Sequence, residues 1–96
     1  MIKSFGNKIA EDLYNDKKSK ALSKFPSELL RVARRKILYI HDADQLVDLK
    51  VPPGNRLEAL KGDLKGYHSI RINDQWRVVF KWNGGAEDVQ IVDYHK

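Results

Sequence analysis

The sequence predicts an α+β fold in which two N-terminal helices pack on a small, mainly antiparallel sheet. Three observations carry that prediction. Apolar residues recur at helical spacing from Leu29 to Ile40, and residues 67–72 and 76–82 alternate as half-buried strands do. Between them, Pro52-Pro53-Gly54-Asn55 breaks the chain. Neither half is long enough to bury its own core, so residues 1–96 read as a single domain.

The elements follow in order. Ile2, Lys3, Ser4 and Phe5 alternate and suit a short strand. Asn7 is a good N-cap for a first helix reaching about Lys17, with Ile9, Ala10 and Leu13 on its apolar side. Residues 17–20 read as a solvated connection. Pro26 suits the first turn of a second helix, and Glu28 complements its positive end. Leu29, Leu30, Ala33, Ile37 and Ile40 form its buried stripe, and it ends near His41. The acidic stretch from Asp42 to Asp48 holds a turn around Leu46 and Val47. Beyond the breaker, residues 56–60 suit a short strand, and Lys61 to Gly66 form a loop. Strands then cover residues 67–72, 76–82 and 89–94, joined by turns at Asn73-Asp74 and Asn83-Gly84-Gly85. Phe80 and Trp82 are expected in the core.

Composition narrows the function classes. The chain has no cysteine, which excludes disulfides and thiolate zinc sites. No run of about 18 apolar residues is available to span a bilayer, and the first residues lack the apolar stretch of a signal peptide. Residence in the cytoplasm is the expectation. Eighteen Lys and Arg against thirteen Asp and Glu give +5, which suits a polyanionic partner as well as simple solubility.

The segment from Leu60 to Arg77 concentrates cations and rings. Lys61, Lys65, Arg71 and Arg77 supply phosphate contacts, and Tyr67 and Trp76 supply flat surfaces for unpaired bases. The alternative is a solvated sheet face with its aromatics in the core. The C-terminus reads Asp93-Tyr94-His95. Cleaving RNA without a metal requires a base for the 2′-hydroxyl, cations for the crowded phosphate and an acid for the leaving 5′-oxygen. Histidine and arginine suit those tasks. Read without further context, the triplet also fits a polar terminus or metal ligation by Asp93 and His95. A Ser69, His95 and Asp93 hydrolase lacks any nucleophile-elbow motif. His41 suits a helix C-terminus, and His68 reads as a satisfied, half-buried strand residue.

Three stretches together resemble a known family: Arg56-Leu57-Glu58-Ala59-Leu60-Lys61-Gly62-Asp63, then Gly66 through Phe80, then Val92-Asp93-Tyr94-His95. With the opening Met1 to Phe5, they are similar to the HigB toxins of type II toxin–antitoxin modules, within the RelE/ParE superfamily, and especially to its GraT-like branch. The resemblance implies a RelE/ParE-like fold and a metal-independent endoribonuclease that cuts mRNA on the translating ribosome. It also implies a helix-turn-helix antitoxin of HigA type, whose complex with the toxin binds operator DNA. Asp93, Tyr94 and His95 match the family's C-terminal acid–aromatic–histidine group, and Lys61, Arg71 and Arg77 correspond to its phosphate-contact residues. In this light Arg31, Arg34, Arg35 and Lys36 on the second helix suit ribosomal RNA, a solvated face or the antitoxin interface.

One departure matters: Glu58 stands where the family pattern has a histidine. A carboxylate serves as a base but not as a cationic acid at neutral pH. Either Glu58 takes part of the catalytic role, or His95 carries it, or the enzyme is slow; the alternative is that Glu58 merely pairs with a nearby Lys or Arg. Lys96 extends one residue past the family's usual terminal histidine. Two rival readings remain on the same fold. One is a ParE-like gyrase poison, disfavoured by the Asp-Tyr-His ending. The other is a non-catalytic ribosome- or RNA-binding module.

Overall fold

The computed structural model describes residues 1–94; His95 and Lys96 lie outside the described residues. Helix α1 spans Lys8–Tyr14 and helix α2 spans Leu30–Asp42. Four strands follow: β1 (Glu58–Ala59), β2 (Tyr67–Arg71), β3 (Trp76–Trp82) and β4 (Ala86–Asp93). They form one antiparallel meander in the order β1-β2-β3-β4.

The N-terminal segment completes the sheet. Ile2 and Phe5 bridge in parallel to Ala86 and Val89 of β4, through hydrogen bonds such as Lys3 N to Ala86 O (2.7 Å) and Gly6 N to Val89 O (2.8 Å). The expected strand at residues 2–5 is therefore a parallel clasp along the free edge of β4. His41 ties it to α2, because His41 Nδ1 accepts the Ile2 amide at 3.3 Å.

Helix α1 starts where the sequence says it should. Asn7 is extended, and its side chain accepts from the Ala10 amide at 3.1 Å. The helix stops at Tyr14, about three residues before the expected end. The Asn15, Asp16 and Lys17 amides close back onto the last turn, and Asp16 takes a left-handed backbone. Helix α2 is entered through a 3₁₀ turn at Ser27–Leu29 just after Pro26. Further 3₁₀ turns at Leu46–Lys50 and Pro53–Asn55 lead into the sheet.

Alternation decides the packing. Ile70, Val78, Phe80, Val89 and Ile91 face the helices and are nearly inaccessible, against Ala10, Leu13, Ala33, Ile37 and Ile40. Trp82 is half-buried at the edge of this cluster. Replacing the fully buried Phe80 with alanine would cost about 3–5 kcal/mol. His68 also faces inward and stacks on Phe80, with ring centroids 6.1 Å apart. Its Nδ1 is buried with no hydrogen-bond partner among the described residues, so the expectation of a satisfied histidine is not met.

Asp12 is a buried carboxylate that helical periodicity does not reveal. The Ser19 hydroxyl and the Lys8 ammonium, the latter 3.2 Å away, hold its carboxyl below the ordinary value of 3.8. A lowered folded-state value contributes stability above the unfolded value, and that contribution is lost as pH falls through the lowered one. Asp12→Asn should therefore flatten the loss of stability below about pH 4, read as urea midpoints across an acid pH series. Parallel curves for the two proteins would show that Asp12 adds nothing to acid sensitivity.

Candidate nucleic-acid interface

The face of the sheet turned away from the helices is set by the same register that builds the core. Ile70 pairs with Val78 on the inner face, so the next pair, Arg71 opposite Arg77, points outward. Val92 of β4 stands beside Arg77 in the same row. Two like charges directly opposite each other on a sheet are unfavourable unless something compensates. Arg71 pairs with the Asp74 carboxylate in the turn. Arg77 donates to the main-chain carbonyls of Asn73 and, at 3.3 Å, Trp76. The Asp74 carboxylate beside Arg71 is itself almost fully exposed. An anion placed between the two guanidinium groups would relieve the repulsion.

Tyr94 belongs to this cluster. Its amide donates to Gln75 O at 2.6 Å, which fixes the chain just past β4. The Arg77 guanidinium then lies 5.4 Å from the centre of the Tyr94 ring. Asp93 is in register with Trp76, on the opposite side of the strand from Val92, and is exposed at the strand end. It accepts a hydrogen bond from Gln75 Nε2 at 3.0 Å. His95 lies outside the described residues.

Glu58 shares the face with the arginines. It is in register with Ser69, two residues before Arg71 on the same side of β2, and is exposed. Its Cβ is thus a diagonal neighbour of Arg71, at roughly 7–8 Å. Lys61 and Lys65 flank a 3₁₀ turn (Gly62–Leu64) in the β1–β2 connection. That connection leaves the sheet at the Tyr67 end of β2. Four residues of strand, about 13 Å, separate that end from Arg71.

Trp76 does not join the arginines. It points to the helix side, where its ring meets Phe25 edge-on with centroids 4.9 Å apart. Its Nε1 is buried without a partner among the described residues. As an inward neighbour of Arg77, it lies on the wrong face to stack a base beside that residue.

The basic helix divides as well. Arg31 and Arg35 are exposed, one turn apart on α2. Arg34 is half-buried, with its Nε donating to Leu13 O at 3.3 Å. Lys36 is not a surface contact at all, which corrects its expected place on the ribosome-facing side. It is 8% exposed, and its ammonium donates to Asn55 Oδ1 at 2.5 Å and lies over the Tyr39 ring. Burial, and then the neighbouring Arg35 and Arg71, push its pKa down. Asn55 in turn donates to Leu49 O and Val51 O, so the pair pins the Pro52–Pro53 segment to α2. Sequence reasoning missed this pair because a lysine among three arginines reads as one more solvated charge. A cleft of about 350 Å³ opens on the helical side between Leu22, Leu30, Arg31 and Arg34, and contains none of the sheet-face residues.

Asn55→Ala leaves the buried ammonium and two carbonyls without a partner. It should lower unfolding free energy by about 2–3 kcal/mol in urea titrations. A change within the scatter of surface substitutions, about 0.5 kcal/mol, would mean that the pair is energetically idle.

Comparison with known proteins gives one consistent result. Residues 3–95 match the family described as RelE-like toxin of type II toxin–antitoxin system HigB. Among curated proteins, the chain is 40% identical over 96 residues to Toxin HigB-1 of Vibrio cholerae serotype O1, covering 100% of this chain and 99% of that protein. It is 36% identical over 63 residues to Endoribonuclease HigB of Proteus vulgaris, covering 58% of this chain and 68% of that one. An uncharacterized protein of Haemophilus influenzae is 36% identical over 73 residues, covering 76% and 72%.

Proposed function

The chain belongs to the HigB-like family of RelE-like toxins of type II toxin–antitoxin systems, and on that premise we propose that it is an endoribonuclease that cuts mRNA on the translating ribosome. The observation that carries this reading is the Arg71–Arg77 pair beside Tyr94 on the open face of the sheet. The Proteus vulgaris relative, which is named an endoribonuclease, supports it.

The proposed reaction is attack of a ribose 2′-oxygen on the adjacent phosphorus, with departure of the 5′-oxygen and formation of a 2′,3′-cyclic phosphate. A base takes the 2′-proton, and an acid returns one to the leaving oxygen. Arg77, with Arg71, holds the phosphate oxygens and stabilises the charge that grows on them in the transition state. Glu58 shares their face and is an acceptor for the 2′-proton. Tyr94 holds Arg77 in place through its ring. His95, by family resemblance, is the proton donor, and Asp93 orients it. Lys61 and Lys65 contact the RNA backbone farther along the strand. No metal takes part in this scheme.

The antitoxin partner follows from the family. Its HigA-type helix-turn-helix character, the ribosome as target and the cytoplasm as location complete the proposal. Arg31 and Arg35 are the helix residues free to meet ribosomal RNA.

Induction in cells, followed by mapping of transcript 5′ ends with and without translation, tests the reading. Cuts should appear within translated messages and vanish when translation is blocked. DNA damage signalling with intact messages would replace it with gyrase poisoning, and ribosome binding with intact messages would leave a binder. Arg77→Gln should lower cleavage on programmed ribosomes about 10²–10³-fold. Arg31→Gln with Arg35→Gln should weaken ribosome pelleting and reduce its salt dependence; unchanged pelleting would assign those residues to the solvent or to the antitoxin.

A further inference from the structure

The sheet face that carries Arg71 and Arg77 has a second charged end, built with more care than a solvated surface needs. Tyr67, at the start of β2, is in register with Lys81 of β3, and the Lys81 ammonium lies 5.0 Å from the centre of the Tyr67 ring. Between the two ends, Ser69 and Val79 form the middle row. Both are small and are covered by their neighbours, and the row ends in Glu58 on one side and Gln90 on the other, so a strand laid along this face would run over side chains that flank the middle row.

Asp88 fixes this second end. Its backbone is left-handed (φ 54°), a conformation uncommon outside glycine and associated with functional sites. Three groups hold it there: its amide donates to Ser4 Oγ at 2.8 Å, and one carboxylate oxygen accepts both the Tyr67 hydroxyl and Gln90 Nε2. Gly6 leaves the room. A Cβ at that position would stand 2.1 Å from Asp88 Oδ1 and 2.5 Å from Gln90 Cγ. The β3–β4 register shifts between Val79 and Lys81, and such irregularities re-aim side chains. The hydrogen bond to Asp88 raises the Tyr67 pKa, so the phenol stays a donor. Glu87 is in register with Lys81, yet among the described residues no ion pair joins them.

We propose that Tyr67 and Lys81, held in place by Asp88, form a second RNA subsite on this face, where Lys81 takes a backbone phosphate of the strand whose scissile phosphate sits at Arg71 and Arg77. Lys81 touches the RNA; Tyr67 and Asp88 are positioning residues. The substrate is accordingly read as a single strand laid along β2 and β3, spanning about 13 Å between its two cationic anchors. The inference rests on the nuclease reading above and adds to it how far along the message the protein reaches.

The test uses the full chain and RNA carrying 2′-O-methyl groups, which bind but cannot be cut. Affinities for an octanucleotide and a dinucleotide are measured by fluorescence anisotropy over a salt series. Lys81→Gln should weaken octanucleotide binding about five- to ten-fold and reduce the salt slope by about 0.7, the share of one single-strand phosphate. The dinucleotide is too short to reach from Arg77 and should lose less than about twofold. Lys81→Arg should restore the slope. Tyr67→Phe keeps the ring and breaks the link to Asp88, and should give a smaller loss of the same kind. Octanucleotide binding by Lys81→Gln equal to wild type, while Arg77→Gln binds weakly, overturns this inference alone. A wild-type protein that neither binds the octanucleotide nor cuts translated mRNA overturns both the inference and the reading beneath it.

Discussion

A slip of one residue by β2 against β3 would turn Ile70 to solvent and drive Arg71 into the core, and a slip by β3 would do the same to Val78, Phe80 and Arg77. The chain cannot tolerate either result, because a guanidinium group facing the apolar surface of α2 would lack water and partners. Burial of one face therefore enforces exposure of the other. The pairing of two arginines across the sheet, uncomfortable by itself, is imposed by the hydrophobic packing behind it. The face that carries Arg71 and Arg77 is thus produced by the same alternation that makes the core.

The rest of the structure serves that sheet. Helix α1 is placed by Asn7, whose side chain caps the helix and also donates to Ile91 O of β4 at 2.8 Å. The N-terminal clasp closes the free edge of β4, which removes an exposed strand edge prone to association. On the other side, the buried Lys36–Asn55 pair holds the segment leading into β1 against α2. Charge buried in this way is expensive, and it is retained where it fixes a connection that apolar contacts would leave loose. β1 is only two residues long, so its position depends on such ties, and with it the position of Glu58.

Much of the fold was legible in the chain because its signals were local. Strand β3 falls on the bounds that alternation predicts, Trp76 to Trp82, and α2 on its apolar stripe. The candidate site was legible in part. Alternation along residues 67–72 and 76–82 puts Arg71 and Arg77 on the side away from the apolar residues, and they are in register there. It also sends Trp76 inward, although the residue lies among the cations in sequence. Lys36 was misread because local charge does not reveal that Asn55, nineteen positions away, waits as its partner. Asp88 carried no signal either: its left-handed backbone depends on Ser4 and Gly6 from the opposite end of the chain.

The sequence by itself determined which apolar residues face inward, where the chain breaks, and the family to which it belongs. Those follow from periodicity and from ordered motifs, which need no knowledge of distant partners. Tertiary structure alone decided which outward charges stand together and which polar groups are buried. Coulombic and hydrogen-bond energies depend on separations of a few ångströms. Residues such as Arg77 and Tyr94, or Tyr67 and Asp88, acquire those separations only when strands far apart in the chain are laid side by side.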